Sequence, residues 1–350
     1  MISMGECMSS RVPMSVASML TAVPGLLGFV PHRSLVIVAF TDGGERVVAT
    51  MRHDFARLAD GTAHEQMYAT LRDLAAIIAT YGVTTVAAVI VDDRLRRGDA
   101  RHREFAHRMH DILAGCGGLH AGYVVETMTE GQRWRTLWGE EARDGDSDQV
   151  LGDPFTSPTA TRAAVEQGRT VAASRDRVGA DLTPDGCACG GYEFDAHGHT
   201  ETDPVAAVAT VMGALDGPVD CATAAAVGRA LCDLDIRDAL LALAGTTAHR
   251  HTAANLWQHI ARHSTGTVRA SAATMLAHLY YLAGEGAMSG IALDQALAAD
   301  PDWALARLLD EVLRAGAHPS ALWPMLETSA DMLALLGVPV EVDAAAALTA

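Results

Sequence analysis

The residues best suited to chemistry begin at Asp92-Asp93-Arg94, directly after the apolar run Thr84 to Val91. Arg96, Arg97, Arg101, Arg103 and Arg108 follow, so six arginines fall within residues 94–108. A guanidinium is a planar fork that matches the two oxygens of a carboxylate or phosphate. In α/β sheets, ligands collect at the carboxyl ends of such strands. One reading is therefore a site for an anionic small molecule built on Asp92, Asp93, Arg94, Arg96 and Arg97, with the aspartates free to hold a metal. The other is a solvated loop and helix face, the usual fate of a charge run. Arg169, Ser174 and Arg175 could complete an anion site from the far end of a helix, or their arginines could pair with acids of the linker.

Cys187 and Cys189, followed by His197 and His199, place four zinc-type ligands within 13 residues. Structural zinc sites use wider cysteine spacing, so this non-standard set makes zinc the one cofactor to consider, and otherwise none is expected. His259 and His263 lie one helical turn apart, without the glutamate that a metalloprotease helix places between them. All 26 basic residues are arginine. The absence of lysine excludes Schiff-base and pyridoxal chemistry, a phosphate-loop lysine and a kinase-type ATP lysine. With 43 acidic residues and a net charge of −17, neither nucleic acid nor an anionic membrane is an expected partner.

These residues need elements to hold them. Ser15 to Ala22 reads as a short helix ended by Pro24. Ser34 to Phe40 and Arg46 to Arg52 read as a hairpin across Asp42-Gly43-Gly44. Ala63 to Tyr81 and Asp99 to Leu113 carry apolar residues at three- and four-residue spacing, the pattern of amphipathic helices. Thr84–Val91, His120–Thr127 and Gln132–Trp138 read as strands. The alternation predicts an α/β domain over 1–138, with a mixed sheet and flanking helices. Residues 139–203 are acidic and loop-rich, with one helix over 159–173. Residues 204–350 read as a helical bundle, with a tetratricopeptide-like hairpin at 284–319 and a helix starting at Asp300-Pro301. The three parts hold 14 arginines against 14 acids, 5 against 14 and 7 against 15.

Pro24 to Val36 (PGLLGFVPHRSLV) resembles the opening of an actinobacterial family known as domain of unknown function 4192. Pro24, Leu27, Gly28, Phe29, Pro31 and Ser34 carry the likeness, and their proline and glycine content suits an architectural role at the start of the first strand. Arg52 and Asp54 match an Arg-x-Asp-Leu pattern, with Phe55 in place of leucine. Gly168-Arg169 and Ser174-Arg175 match a Gly-Arg…Ser-Arg segment, and 284–319 resembles the helical C-terminal pattern. A Cys-Pro-x-x-Gly segment found in many members has no counterpart in Leu137 to Phe155. The resemblance implies this fold and no known activity.

Neither a secretion signal nor a membrane-spanning run is apparent, so a cytoplasmic protein is expected. The leading functional expectation is a non-enzymatic interaction or regulatory module, whose acidic helical half meets a protein partner. The alternative is a ligand-binding protein or enzyme acting on an anionic metabolite. A zinc-binding module comes third.

Overall fold

The computed structural model describes residues 15–41, 46–139, 147–184 and 203–343. Among these residues five strands form one mixed sheet: β1 (Ser34–Thr41), β2 (Arg46–Asp54), β3 (Thr85–Val91), β4 (Ala121–Val125) and β5 (Trp134–Trp138), in the order β2-β1-β3-β4-β5. β1 runs antiparallel to both β2 and β3, β3 and β4 are parallel, and β4 and β5 are antiparallel. α2 (Glu65–Thr80) joins β2 to β3, and α3 (Ala100–Ile112) makes the crossover that a parallel pair requires.

Side chains of β1 alternate between two cores because successive residues of a strand face opposite ways. Leu35 and Ile37 pack with Met67 and Leu71 of α2 and Phe105 and Met109 of α3. Val36, Val38 and Phe40 pack with Leu20, Val23 and Leu27 of α1 (Val16–Leu27). Met288 and Ile291 of α11 (Gly286–Ala299) join this second core. The sheet is therefore closed on one face by residues more than 100 positions beyond its last strand. The helical region gathers around α10 (Gly266–Leu282), which is buried from Ala270 to Leu279 without a break. A helix apolar on every side belongs in the middle of a bundle. α9 (Arg250–His263) and α11 pack against it.

The architecture agrees with the expected mixed sheet followed by helices, while several boundaries differ. α1 continues through Pro24 to Leu27, although proline removes one backbone donor. Burial of Val23 and Leu27 holds the last turn, and Gly28, at φ 84°, ends it with its N–H on the Pro24 carbonyl. α4 (Pro158–Gln167) stops at Gly168, at φ 63°, rather than running to 173. Ser174 does not close a helix but opens one: its side chain caps α5 (Arg175–Ala180). The helical stretch from Cys221 divides at Asp233 into α7 (Cys221–Cys232) and α8 (Leu234–Leu240), because the Asp233 carboxylate caps the second. α12 (Ala304–Arg314) starts three residues later than the Asp-Pro pair predicts, since Asp300 bonds the Asp302 N–H in a turn instead. No helix among the described residues is long and apolar enough to cross a membrane.

Candidate functional site

Asp92 is the first residue past β3 and is fully buried. Its Oδ2 accepts from Arg57 Nε at 2.6 Å and lies 3.2 Å from His102 Nε2. Its Oδ1 accepts from Arg94 Nε at 2.7 Å. Burial pushes the carboxyl up, but His102, Arg94 and Arg57 outweigh it and hold Asp92 well below the ordinary carboxylate range. Arg57 also donates to the Gly61 carbonyl, and Arg94 to that of Phe55 at 2.6 Å. The carboxylate thus ties the strand end to the 55–61 loop and to α3. Three side chains of its own chain thus converge on this one carboxylate.

The neighbouring charges go separate ways. Asp93 takes Arg33 at 2.7 Å and His32 at 3.3 Å on the surface. Arg97 pairs with Glu126 at 3.0 Å, Arg101 with Asp99 at 2.9 Å and Arg108 with Glu104 at 3.4 Å. Arg96 and Arg97 border a shallow cleft with Asp99, Glu126 and Arg135. Four of the six arginines, Arg94, Arg97, Arg101 and Arg108, are therefore paired with carboxylates, and Asp92, Asp93 and Arg94 do not line the cleft that Arg96 and Arg97 share.

Arg169 and Arg175 lie elsewhere, at the seam between the sheet and the helices. Between Gly168 and Ser174 the chain is neither helix nor strand, and Ala172 makes a parallel bridge with Phe29. Val30 N–H donates to the Ala172 carbonyl, and Ala172 N–H to that of Gly28, each at 2.9 Å. Gly28 must be glycine here: a Cβ would stand 2.2 Å from Arg169 Nη1 and 2.8 Å from Met288 Sδ. Gly25 is held as tightly, since a Cβ would stand 2.2 Å from Thr159 Oγ1 on α4. Ser34 donates to the His32 carbonyl at 2.8 Å and accepts from Arg52 Nε at 2.9 Å. Segments 24–36, 52–54, 168–175 and 284–294, far apart in the chain, meet along this seam.

Two hollows open there. The first, about 390 Å³, is lined by Gly28, Arg169, Arg250, Tyr280, Glu285 and Met288, among others. Arg169 Nη2 donates to Glu285 Oε1 at 2.9 Å, with the two side chains only 14% and 9% exposed. Glu285 Oε2 is buried without a hydrogen-bond partner among the described residues. Burial raises the Glu285 pKa, opposed by Arg169 and then by Arg250. Tyr280 is pushed up to about 12 by burial and by Glu285. The second hollow is a groove of about 470 Å³ along β2, where Arg175 donates to Asp294 at 2.6 Å and Arg314 to Asp310 at 2.7 Å.

Arg169 is thus the sequence-level candidate that reaches a cavity with a buried charge, while Ser174 serves as a helix cap. Glu285, Arg250 and Tyr280 carry no motif of their own, and only the position of Glu285 in the 284–319 segment gave it any signal. Cys187, Cys189, His197 and His199 lie outside the described residues. His259 and His263 stack at 4.1 Å between ring centres. No group of three or more metal-type ligands occurs among the described residues.

No curated protein and no solved structure matches the chain. The family model described as Domain of unknown function (DUF4192) matches residues 17–320, and the chain belongs to that family.

Proposed function

We propose that the protein binds a small molecule bearing an anionic group in the cavity at the seam. The observation that carries this reading is the Arg169–Glu285 pair, buried beside Arg250 on the wall of a 390 Å³ hollow and leaving one carboxylate oxygen unmatched. Burying an ion pair gives little net stability, because desolvation offsets the attraction. Ligand pockets favour seams between structural units, with apolar walls and a few convergent polar groups. Leu279 and Met288 supply such walls, and Arg169 and Arg250 supply cations for an anion. The anionic-metabolite reading is thereby kept, with its site moved from the strand end to the seam.

The test is native mass spectrometry of the full-length protein purified from its own host, compared with the double variant R169M/E285M. Replacing both partners with apolar side chains of similar length keeps such a pair's fold intact. The expected result is a bound small molecule on the wild type and none on the folded variant. A wild-type mass equal to that of the bare chain would count against the reading.

A second reading, a protein-partner module, has the groove along β2 in its favour. β2 is an edge strand with a hollow beside Val48 to Asp54, the setting in which an extended peptide adds to a sheet. Thr50→Pro would remove a backbone donor from that edge or from the β1 ladder, with little change in charge. Retention of a co-purifying protein by wild type but not by a folded T50P variant would support this reading. Purification as a lone monomer would oppose it.

A further inference from the structure

We propose that the ligand of the seam cavity is a 2-amino- or 2-hydroxycarboxylate with an apolar side chain; this inference rests on the cavity being a ligand site. Three features of the wall select that class. Arg169 and Arg250 provide cations for one carboxylate. Glu285 Oε2, buried and without a hydrogen-bond partner among the described residues, accepts only from a group that brings its own N–H or O–H. Leu279, Met288 and Leu182 line the same hollow and suit an aliphatic tail.

Charge narrows the choice further. A dicarboxylate or phosphate would bring extra negative charge toward Glu285, which already sits in a poorly solvated position. A plain fatty carboxylate would add to the interactions of the arginines and leave Oε2 unmatched, the costly outcome for a buried acceptor. An amino or hydroxyl group next to the carboxylate answers both demands, the first as a charge-assisted bond and the second as a neutral donor. The hollow of about 390 Å³ is ample for a molecule the size of an amino acid.

The experiment is titration calorimetry of the full-length protein with three molecules of nearly one shape: leucine, 2-hydroxy-4-methylpentanoate and 4-methylpentanoate. The first two carry the donor in its two chemical forms, and the third lacks it. At least one donor-bearing probe is expected to bind about tenfold or more tighter than 4-methylpentanoate, the worth of a hydrogen bond to a charged acceptor. In E285Q that gap should shrink to about threefold or less, because the amide offers a weaker acceptor. The wild-type comparison stands by itself if E285Q does not fold. Equal or tighter binding of 4-methylpentanoate would overturn the ligand class while leaving a carboxylate site in place. Failure of all three to bind would overturn the class as well, and the mass of the endogenous ligand would then decide the cavity reading separately.

Discussion

At the scale of single residues, two adjacent aspartates show how little a sequence motif says about role. Asp92 is wholly buried among Arg57, Arg94 and His102, while Asp93 is partly exposed and pairs on the surface. Asp92→Asn should destabilise by about 3–5 kcal/mol, because it strands the buried Arg57. Asp93→Ala should cost about 1 kcal/mol or less. Urea midpoints of the two variants check the contrast. The pH dependence follows from the depressed carboxyl of Asp92. Its stabilising contribution is complete above the ordinary carboxylate value of 3.8 and is lost as pH falls below it toward the folded value. Wild type should therefore lose stability more steeply than D92N between about pH 4 and pH 2. The sequence made the Asp-Asp-Arg cluster visible, since charge after a buried strand is a local pattern. Its partners were not visible, because Arg57 and His102 reach Asp92 only through the fold of the 55–61 loop and the first turn of α3.

At the scale of elements, apolar periodicity gave the strands and long helices, and the errors lie at their ends. Ends are set by tertiary contacts. Residues 169–173 do not prolong α4, and Ala172 among them bridges Phe29, while buried side chains carry α1 past Pro24. Glycines at these ends provide the tests. Gly28→Ala should destabilise by about 2–4 kcal/mol, because a positive φ and a close approach to Arg169 and Met288 both oppose a side chain. Gly25→Ala, which would wedge α1 away from α4, should cost about 1–3 kcal/mol. Gly213→Ala in α6 (Pro204–Asp216) meets nothing within 4 Å and should stabilise by about 0.5–1 kcal/mol. Thermal melts of the three variants read out order and sign together.

At the scale of the whole molecule, division into an α/β part and a helical part describes the order along the chain but not how the core is built. Met288 and Ile291 of α11 complete the hydrophobic layer that β1, β3 and α1 begin. Tyr81, after α2, donates to the Gly316 carbonyl at 3.0 Å, and Arg175 holds Asp294 across the seam. A chain cut after residue 203 should therefore fail to form a native sheet. It should show dispersed proton spectra only when residues 204–350 are supplied, whereas an independently folding half would show them alone. No local sequence signal reports such closure, since each helix looks self-sufficient when read by its own period. The wall between the seam cavity and the β2 groove adds one more consequence. Part of it is the Phe29–Ala172 bridge: Gly28 and Ala172 line the cavity, and Phe29 lines the groove. The segment forming it carries Arg169 into the cavity and Arg175 into the groove, and both arginines pair with acids at the two ends of one stretch, Glu285 and Asp294. An occupant that displaces either arginine pulls on a strap shared by both hollows. Filling one would then change the affinity of the other, and thermodynamic reciprocity requires the effect to be equal in the opposite direction.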